Sequence, residues 1–282
     1  MTDSLPFTTT DLHAGSLPEE VSPGRFLWNV PDGWQQGRGA FGGLVLGALV
    51  RAIEASEPER PGAAPDNLAR HARSVTAEIA GPVLPGDAAI EIVQNRRGSG
   101  LSAWNATLLQ QGEGLVRCSA ILARARNTDP PGLHLSPPSP PPWSEVPPMP
   151  SEGGFGVPVF TKHLEFRPMG PLPFSGFPEP VSQGWIRARA PLAHLGAPEI
   201  VALADAWWPA GLTSAPAPRP MATVAFTCQL FPPRAPLDPA IPLFYRGRVI
   251  AEQDGYMAEF RELWSADGHL LALNQQTIAW IR

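Results

Sequence analysis

The chain has 282 residues and a formal net charge of −5, with 43% hydrophobic and only 17% charged residues. This composition is typical of a globular protein with a substantial core and excludes a disordered chain. Lys162 is the single lysine, and the arginines form no basic run, so nucleic-acid binding is not expected.

The sequence shows no pattern typical of secretion, of a membrane span or of a metal site. Met1 to Thr10 lacks a basic segment followed by an apolar one, and no stretch is long and apolar enough to cross a bilayer, which predicts a soluble, cytoplasmic protein. Cys118 and Cys228 lie in apolar runs and are expected to be buried free thiols. The histidines show no metal-ligand spacing, so no metal is expected.

The first half predicts one helix followed by four antiparallel strands. After a short strand at Arg25–Val30, the segment FGGLVLGALVRAIEA (Phe41–Ala55) is apolar around most of its circumference, as in a buried helix. Turn signals separate the strand-like runs that follow, which are Ser74–Ala80, Ala88–Gln94, Leu101–Leu109 and Leu115–Ala125.

A proline-rich segment divides the chain. Residues 127–158 contain eleven of the 36 prolines, and such a run cannot form a helix or a central strand. It predicts an extended linker over the surface. The predicted organisation is therefore an N-terminal unit at 1–126, a linker at 127–160 and a C-terminal unit at 161–282.

The second half repeats the order of the first. A helix is predicted at about Pro198–Ala210, and a shift of 155 residues superposes Gly100 on Gly255 and Leu115 on Leu270. The predicted strands are Thr161–Phe166, Trp185–Ala190, Met221–Phe231, Leu243–Glu252, Met257–Trp264 and His269–Trp280.

An apolar helix followed by a curved antiparallel sheet packs economically when the sheet wraps around the helix, which is the hotdog arrangement. Two such repeats can pair their sheets edge to edge and so remove exposed strand edges. The fold class predicted is α+β, a double hotdog.

Asp205 is the outlier in the second predicted helix, because apolar residues surround it and a buried carboxylate needs partners. A place on a solvent-facing stripe or an ion pair with an arginine is the alternative. Thr223 and Gln276 are polar residues within apolar strands, although Thr227 and Gln275 compete with them. Period-two alternation places Gln275 and Gln276 on opposite faces.

From Phe41 to Arg282 the chain resembles the acyl-CoA thioesterase II family, whose single chains contain two hotdog repeats. The resemblance rests on FGGLVLGAL, RSVTAEIAGPVLPGDAAIEI, GWIRARA and LADAWWPA. That family uses an Asp, a Thr and a Gln to activate water, and its pattern falls on Asp205, Thr223 and Gln276. The resemblance implies hydrolysis of acyl-CoA or related acyl thioesters, with no cofactor beyond the coenzyme A of the substrate.

The residue types suit this chemistry, since thioester hydrolysis needs a base, a positioned water and donors to an oxyanion. The Gly42 and Gly43 N–H groups could polarise the carbonyl, or the glycines could serve close packing. Arg96 and Arg97 could meet the phosphates of coenzyme A, or simply be solvated. Trp207 and Trp208 suit core packing or the lining of an acyl tunnel.

Three functions remain open from the sequence. The first is a thioesterase, and a Ser-His-Asp version of it is disfavoured because no GxSxG occurs in the chain. The second is a non-catalytic acyl-thioester or lipid-binding hotdog protein. The third is a hotdog hydratase or dehydratase, ranked last because no histidine follows Asp205. A homo-oligomer is possible, and neither a membrane nor a nucleic-acid partner is expected.

Overall fold

A computed structural model describes residues 11–126, 135–150, 157–233 and 235–281. The prediction about residues 1–10 and much of the predicted linker therefore lie outside the described residues. The first half contains α1 (Leu12–Gly15), β1 (Glu19–Ser22), β2 (Arg25–Val30), β3 (Gln35–Gln36), β4 (Gly39–Ala40), α2 (Gly42–Ser56), β5 (His71–Ile79), β6 (Gly86–Arg97), β7 (Leu101–Gln110) and β8 (Glu113–Ala123).

The second half has the same order of larger elements. It contains β9 (Leu164–Pro168), β10 (Val181–Ala188), α3 (Ala197–Asp205), α4 (Gly211–Ser214), β11 (Met221–Leu230), β12 (Leu243–Gln253), β13 (Tyr256–Trp264) and β14 (Leu270–Trp280). Two 3₁₀ turns, Trp143–Glu145 and Val159–His163, precede these strands. The repeat register holds, because β13 begins 155 residues after Leu101, where β7 begins.

One antiparallel sheet runs through the molecule in the order β1-β2-β6-β7-β8-β5-β11-β14-β13-β12-β10-β9. The two halves meet where β5 pairs with β11, and Thr76 opposite Thr227 marks the middle of that pairing. The expected edge-to-edge junction is confirmed, and no edge of β5 or β11 is left open.

The two larger helices lie inside this sheet and pack against each other. α2 contacts β5 to β8, whereas α3 contacts β13 and β14. Gly43 approaches Ala202 and Gly47 approaches Pro198, so the helices run antiparallel with glycines at their interface. The fold is the expected double hotdog, with both central helices in one continuous hydrophobic core.

Several element boundaries were predicted wrongly, among them the start of β10, which lies at Val181 and not at Trp185. α3 ends at Asp205 instead of continuing to Ala210, because Pro209 disfavours a helical conformation of the residue before it. The strand predicted from Thr161 begins only at Leu164, since the preceding residues form a 3₁₀ turn. α1, β1, α4 and the β3–β4 hairpin were not predicted.

The described part of the proline-rich segment is anchored to the second half. Trp185 donates its indole N–H to Pro141 O at 3.1 Å, and Arg167 donates to the carbonyls of Trp143 and Val146 at 3.0 and 2.7 Å. Val146 joins a small apolar cluster with Trp185, Phe244 and Trp264. This segment thus covers part of the sheet.

Both cysteines are buried free thiols, as expected, and burial raises the pKa of each to about 12. Among the described residues, no helix combines the length and apolar character needed to cross a membrane.

Candidate active site

Asp205, Thr223 and Gln276 converge although they come from three elements. Gln276 Nε2 donates to Asp205 Oδ1 at 2.8 Å, and Thr223 Oγ1 donates to Gln276 Oε1, also at 2.8 Å. Asp205 is the last residue of α3, Thr223 lies on β11 and Gln276 lies on β14, the strand that pairs with β11. The three side chains form one hydrogen-bonded chain.

The competing residues lie elsewhere. Gln275 is exposed, whereas Gln276 is buried, as period-two alternation predicts. A bulge in β11 between Thr223 and Ala225 shifts the register, which separates Thr223 from the regular alternation of that strand. Thr227 contributes only its backbone carbonyl, which accepts a hydrogen bond from Asn274.

Asn274 is a fourth polar member of the cluster that the sequence reading missed. Its Oδ1 accepts a hydrogen bond from Gln276 Nε2 at 3.0 Å, and its amide donates to Thr227 O at 2.9 Å. Both N–H bonds of the Gln276 amide are thereby engaged, so the orientation of that amide is fixed. Asn274 lies two residues before Gln276 on the same strand face, a spacing that could have identified it.

A buried ion pair lies behind Asp205. Arg261 Nη1 is 3.7 Å from Asp205 Oδ1 and 3.2 Å from the Asp205 carbonyl oxygen, and its Nε donates to Glu259 at 2.8 Å. Glu259 also accepts from the Ala210 N–H at 2.7 Å, which ties this pair to the chain that follows α3.

The electrostatics of Asp205 combine opposing effects. Burial raises the pKa of its carboxyl above the usual range, while the Arg261 charge, the Gln276 amide and the Gly43 N–H act in the opposite direction. Burial likewise raises the pKa of Glu259, opposed chiefly by Arg261. A pKa raised by burial beside a specific charge partner is common among residues of active sites.

The start of α2 meets the Asp205 carboxylate. Phe41, at the N-cap of α2, gives no side-chain hydrogen bond to the helix, and the Gly43 N–H donates to Asp205 instead. A Cβ on Gly42 would lie 2.8 Å from Asp205 Oδ2, and one on Gly43 would lie 2.6 Å from Ala202 O. The two glycines therefore allow close packing of α2 on α3, and they also bring a helix N-terminus to a carboxylate.

Arg96 and Arg97 are not brought to this cluster. Arg97 forms ion pairs with Glu57 and Glu59, and Glu57 also accepts from Ser102 and, at 3.2 Å, from Trp104. Glu57 follows the C-terminus of α2, whereas Asp205 contacts its N-terminus. A 15-residue helix separates the two by roughly 22 Å. Arg96 is exposed at that distant end.

A cavity of about 850 Å³ is lined by chain neighbours of the cluster, whereas Asp205, Thr223 and Gln276 themselves are not among its lining residues. Ala206, directly after Asp205, lines it, and so does Met221, two residues before Thr223 on β11. Its walls are largely apolar and include Trp207, Trp208 and Phe166. Trp207 and Trp208 therefore contribute to a cavity wall, and Trp207 also packs in the core against Tyr245.

One group of possible metal ligands occurs among the described residues. Ligand atoms of His13, His194 and Glu199 lie within 4.8 Å of one another, an arrangement that sequence spacing could not show. Arg51 Nη2 lies 2.5 Å from Glu199 Oε1 and neutralises the carboxylate. The neighbouring Glu54 is partly buried, and desolvation together with the charge of Glu199 raises its pKa to about 7.

Family models match both halves of the chain. A model described as the acyl-CoA thioesterase N-terminal domain matches residues 30–125, and one described as the acyl-CoA thioesterase C-terminal domain matches residues 138–279. Among curated proteins, none matches the sequence significantly.

Solved structures share the whole fold. A hot dog fold protein of unknown function from Alicyclobacillus acidocaldarius superposes with a TM-score of 0.81 at 22% identity, covering 96% of this chain and 98% of that one. The tesB protein of Mycobacterium avium subs paratuberculosis gives 0.76 at 14% identity, with coverage of 96% and 98%. An acyl-CoA thioesterase II, TesB2, from Mycobacterium marinum gives 0.72 at 16% identity, again covering 96% and 98%.

Proposed function

This chain belongs to the acyl-CoA thioesterase family, and from that membership we propose that it hydrolyses acyl-CoA or related acyl thioesters with a water molecule activated by Asp205. The products are a free acid and a thiol. The proposal is supported by one observation above all, the hydrogen-bonded chain of Asp205, Gln276 and Thr223, whose chain neighbours Ala206 and Met221 line a largely apolar cavity.

In the proposed reaction, Asp205 accepts a proton from water while the water oxygen attacks the thioester carbonyl carbon. The carbonyl oxygen becomes an oxyanion, and the Gly42 N–H, which has no hydrogen-bond partner among the described residues, is placed at the N-terminus of α2 to stabilise it. The carbon–sulfur bond then breaks, and the thiolate takes the proton from Asp205. No cofactor is required.

Thr223 and Gln276 have different parts in this proposal. The Thr223 hydroxyl donates to Gln276, so its lone pairs remain to accept a hydrogen bond from the attacking water. The amide hydrogens of Gln276 are engaged by Asp205 and Asn274, so Gln276 acts by orienting the base. Water and base are thereby held in a fixed relation, which lowers the entropic part of the barrier.

The surroundings of Asp205 favour hydrolysis over the hydratase alternative. A base that acts on bound substrate must face a protected site, and the Asp205 side chain is only 9% exposed. Hydratases of this fold class need a histidine beside the acidic residue. No histidine among the described residues forms a hydrogen bond with Asp205. The side chains that contact its carboxylate are those of Gln276 and Arg261.

The first test is Asp205→Asn, which keeps the shape of the side chain and removes the base. We expect kcat for release of coenzyme A from a series of acyl-CoAs, followed with a thiol reagent, to fall by about 10²- to 10⁴-fold. The exposed Asp254→Asn is the matched control and should retain wild-type rates. Equal rates for wild type and Asp205→Asn would remove the assigned base.

A single turnover in ¹⁸O-labelled water separates direct attack by water from attack by the carboxylate itself. With enzyme in excess over substrate, direct attack places the label in the free acid during the first turnover. Label that first appears in the Asp205 side chain would instead show an acyl-enzyme intermediate and contradict the proposed role.

A further inference from the structure

The charged side chains around the 850 Å³ cavity are all of one sign. Arg189 and Arg219 line it, and no acidic residue is among the described residues that form its wall. In a cleft with apolar walls, two like charges focus the local potential more strongly than they would on an open surface. The cavity is thus electropositive in a chain whose net charge is −5.

These two arginines have no ion-pair partner among the described residues, whereas eight other described arginines do. Elsewhere in the described chain, arginines pair with carboxylates at Arg51, Arg70, Arg97, Arg124, Arg167, Arg187, Arg246 and Arg261. Arg189 and Arg219 have no such pair among the described residues, and both are exposed. The Arg219 guanidinium lies over the Trp280 ring, 4.7 Å from its centroid, which limits its movement.

The position of Arg219 relates the pair to the candidate active site. It lies four residues before Thr223, so an extended chain separates the two by roughly 13 Å. Arg189 immediately follows β10 at the same cavity. An anionic group bound by Arg189 and Arg219 would therefore lie near the candidate active site but apart from it. The phosphates of coenzyme A are likewise set apart from its sulfur.

We propose that Arg189 and Arg219 form the phosphate-binding rim of the cavity and recognise the coenzyme A portion of the substrate. The inference rests on the proposed function and assigns to this pair the role that the sequence suggested for Arg96 and Arg97. Phosphates that remain partly in water suit exposed guanidinium groups, which bind such oxygens through paired N–H donors.

Binding of free coenzyme A, measured by titration calorimetry, tests the rim without any turnover. Arg189→Gln and Arg219→Gln should each weaken binding on the order of tenfold, the usual scale for loss of a charge-assisted contact. Rising salt should weaken wild-type binding and affect the double variant less. Arg96→Gln, at the far end of α2, is the matched control and should bind as the wild type does.

Kinetics with two substrates provide a second test, because a general structural defect would impair hydrolysis of both. The same variants should lower kcat/KM for octanoyl-CoA about tenfold and leave kcat/KM for octanoyl-pantetheine, which lacks the phosphates, unchanged. Arg189→Lys, which keeps the charge, should recover part of the loss for octanoyl-CoA.

Three outcomes would overturn the assignment of Arg189 and Arg219 to phosphate binding. Unchanged coenzyme A binding in both variants, or no binding by the wild type, would exclude a phosphate role. Loss of activity confined to an acyl-CoA with a terminal carboxylate, with coenzyme A binding unchanged, would assign the arginines to the acyl end instead. Absence of hydrolysis by a wild type that still binds coenzyme A through these arginines would count against the proposed function alone.

Discussion

The Asp205 carboxylate is held between burial, which favours its protonated form, and three partners that favour the charged form. Because burial prevails, its folded-state pKa lies above the unfolded value. The stability that protonation gives the fold is therefore lost as the pH rises through the folded-state pKa. The proposed reaction needs the ionised base, so the active form is the one that the fold favours less.

This balance predicts how activity depends on pH. The acidic limb of kcat/KM should have an apparent pKa above the 3.8 of an ordinary aspartate, because the base must be ionised in the free enzyme. Removing the opposing charge in Glu259→Gln/Arg261→Met should move the limb to higher pH. The double variant avoids leaving a buried glutamate unpaired, and thermal unfolding checks that it folds. An apparent pKa of 3.8 for the wild type, unchanged in the double variant, would contradict this account.

Sequence reasoning reached Asp205, Thr223 and Gln276 because each is a polar residue in an apolar segment and matches a family pattern. It missed Glu259 and Arg261, which lie on the inward face of β13, because the exposed Phe260 between them reverses the usual alternation. A buried ion pair is recognisable only when its partners are known, and here they come from α3 and the chain after it.

At the scale of elements, the contact between α2 and α3 determines where the Asp205 carboxylate lies. α2 has no side-chain cap of its own, so its N-terminal Gly43 N–H takes the carboxylate of α3 as acceptor. The sequence predicted both helices and the glycine-rich start of α2. It could not show that the glycines face the other helix, because periodicity identifies a buried face and not its neighbour.

Gly42→Ala should therefore impair activity more than stability. Its Cβ would lie 2.8 Å from Asp205 Oδ2, so the carboxylate must move away from the position fixed by Gln276. A displacement near 1 Å can reduce kcat on the order of 10²-fold. Gly47→Ala lies on the same interface, where its Cβ would meet Pro198 O at 3.3 Å, and serves as the control. We expect similar melting temperatures and a large difference in kcat. An equal loss of kcat in both variants would attribute the effect to packing alone.

At the scale of the whole molecule, duplication has produced two central helices, but among the described residues the cluster of Asp205, Thr223 and Gln276 belongs to the second half alone. The 155-residue shift that relates the last strands of the two halves places Ile121 at the position of Gln276. Ile121 is apolar, so the first half lacks the corresponding amide. It contributes the α2 N-terminus instead, and a complete site requires both halves.

The proposed division at 127–160 can be tested with fragments 1–126 and 127–282. Each alone would expose the edge of β5 or β11 and one apolar helix face, which favours self-association. Neither should hydrolyse acyl-CoA, because Asp205 lacks the Gly43 N–H in one fragment and is absent from the other. Co-expression should restore hydrolysis, since pairing of β5 with β11 and packing of α2 on α3 need no covalent link across the proline-rich segment. An active, monomeric 127–282 fragment would show that the first half is dispensable and that α2 takes no part in orienting the base.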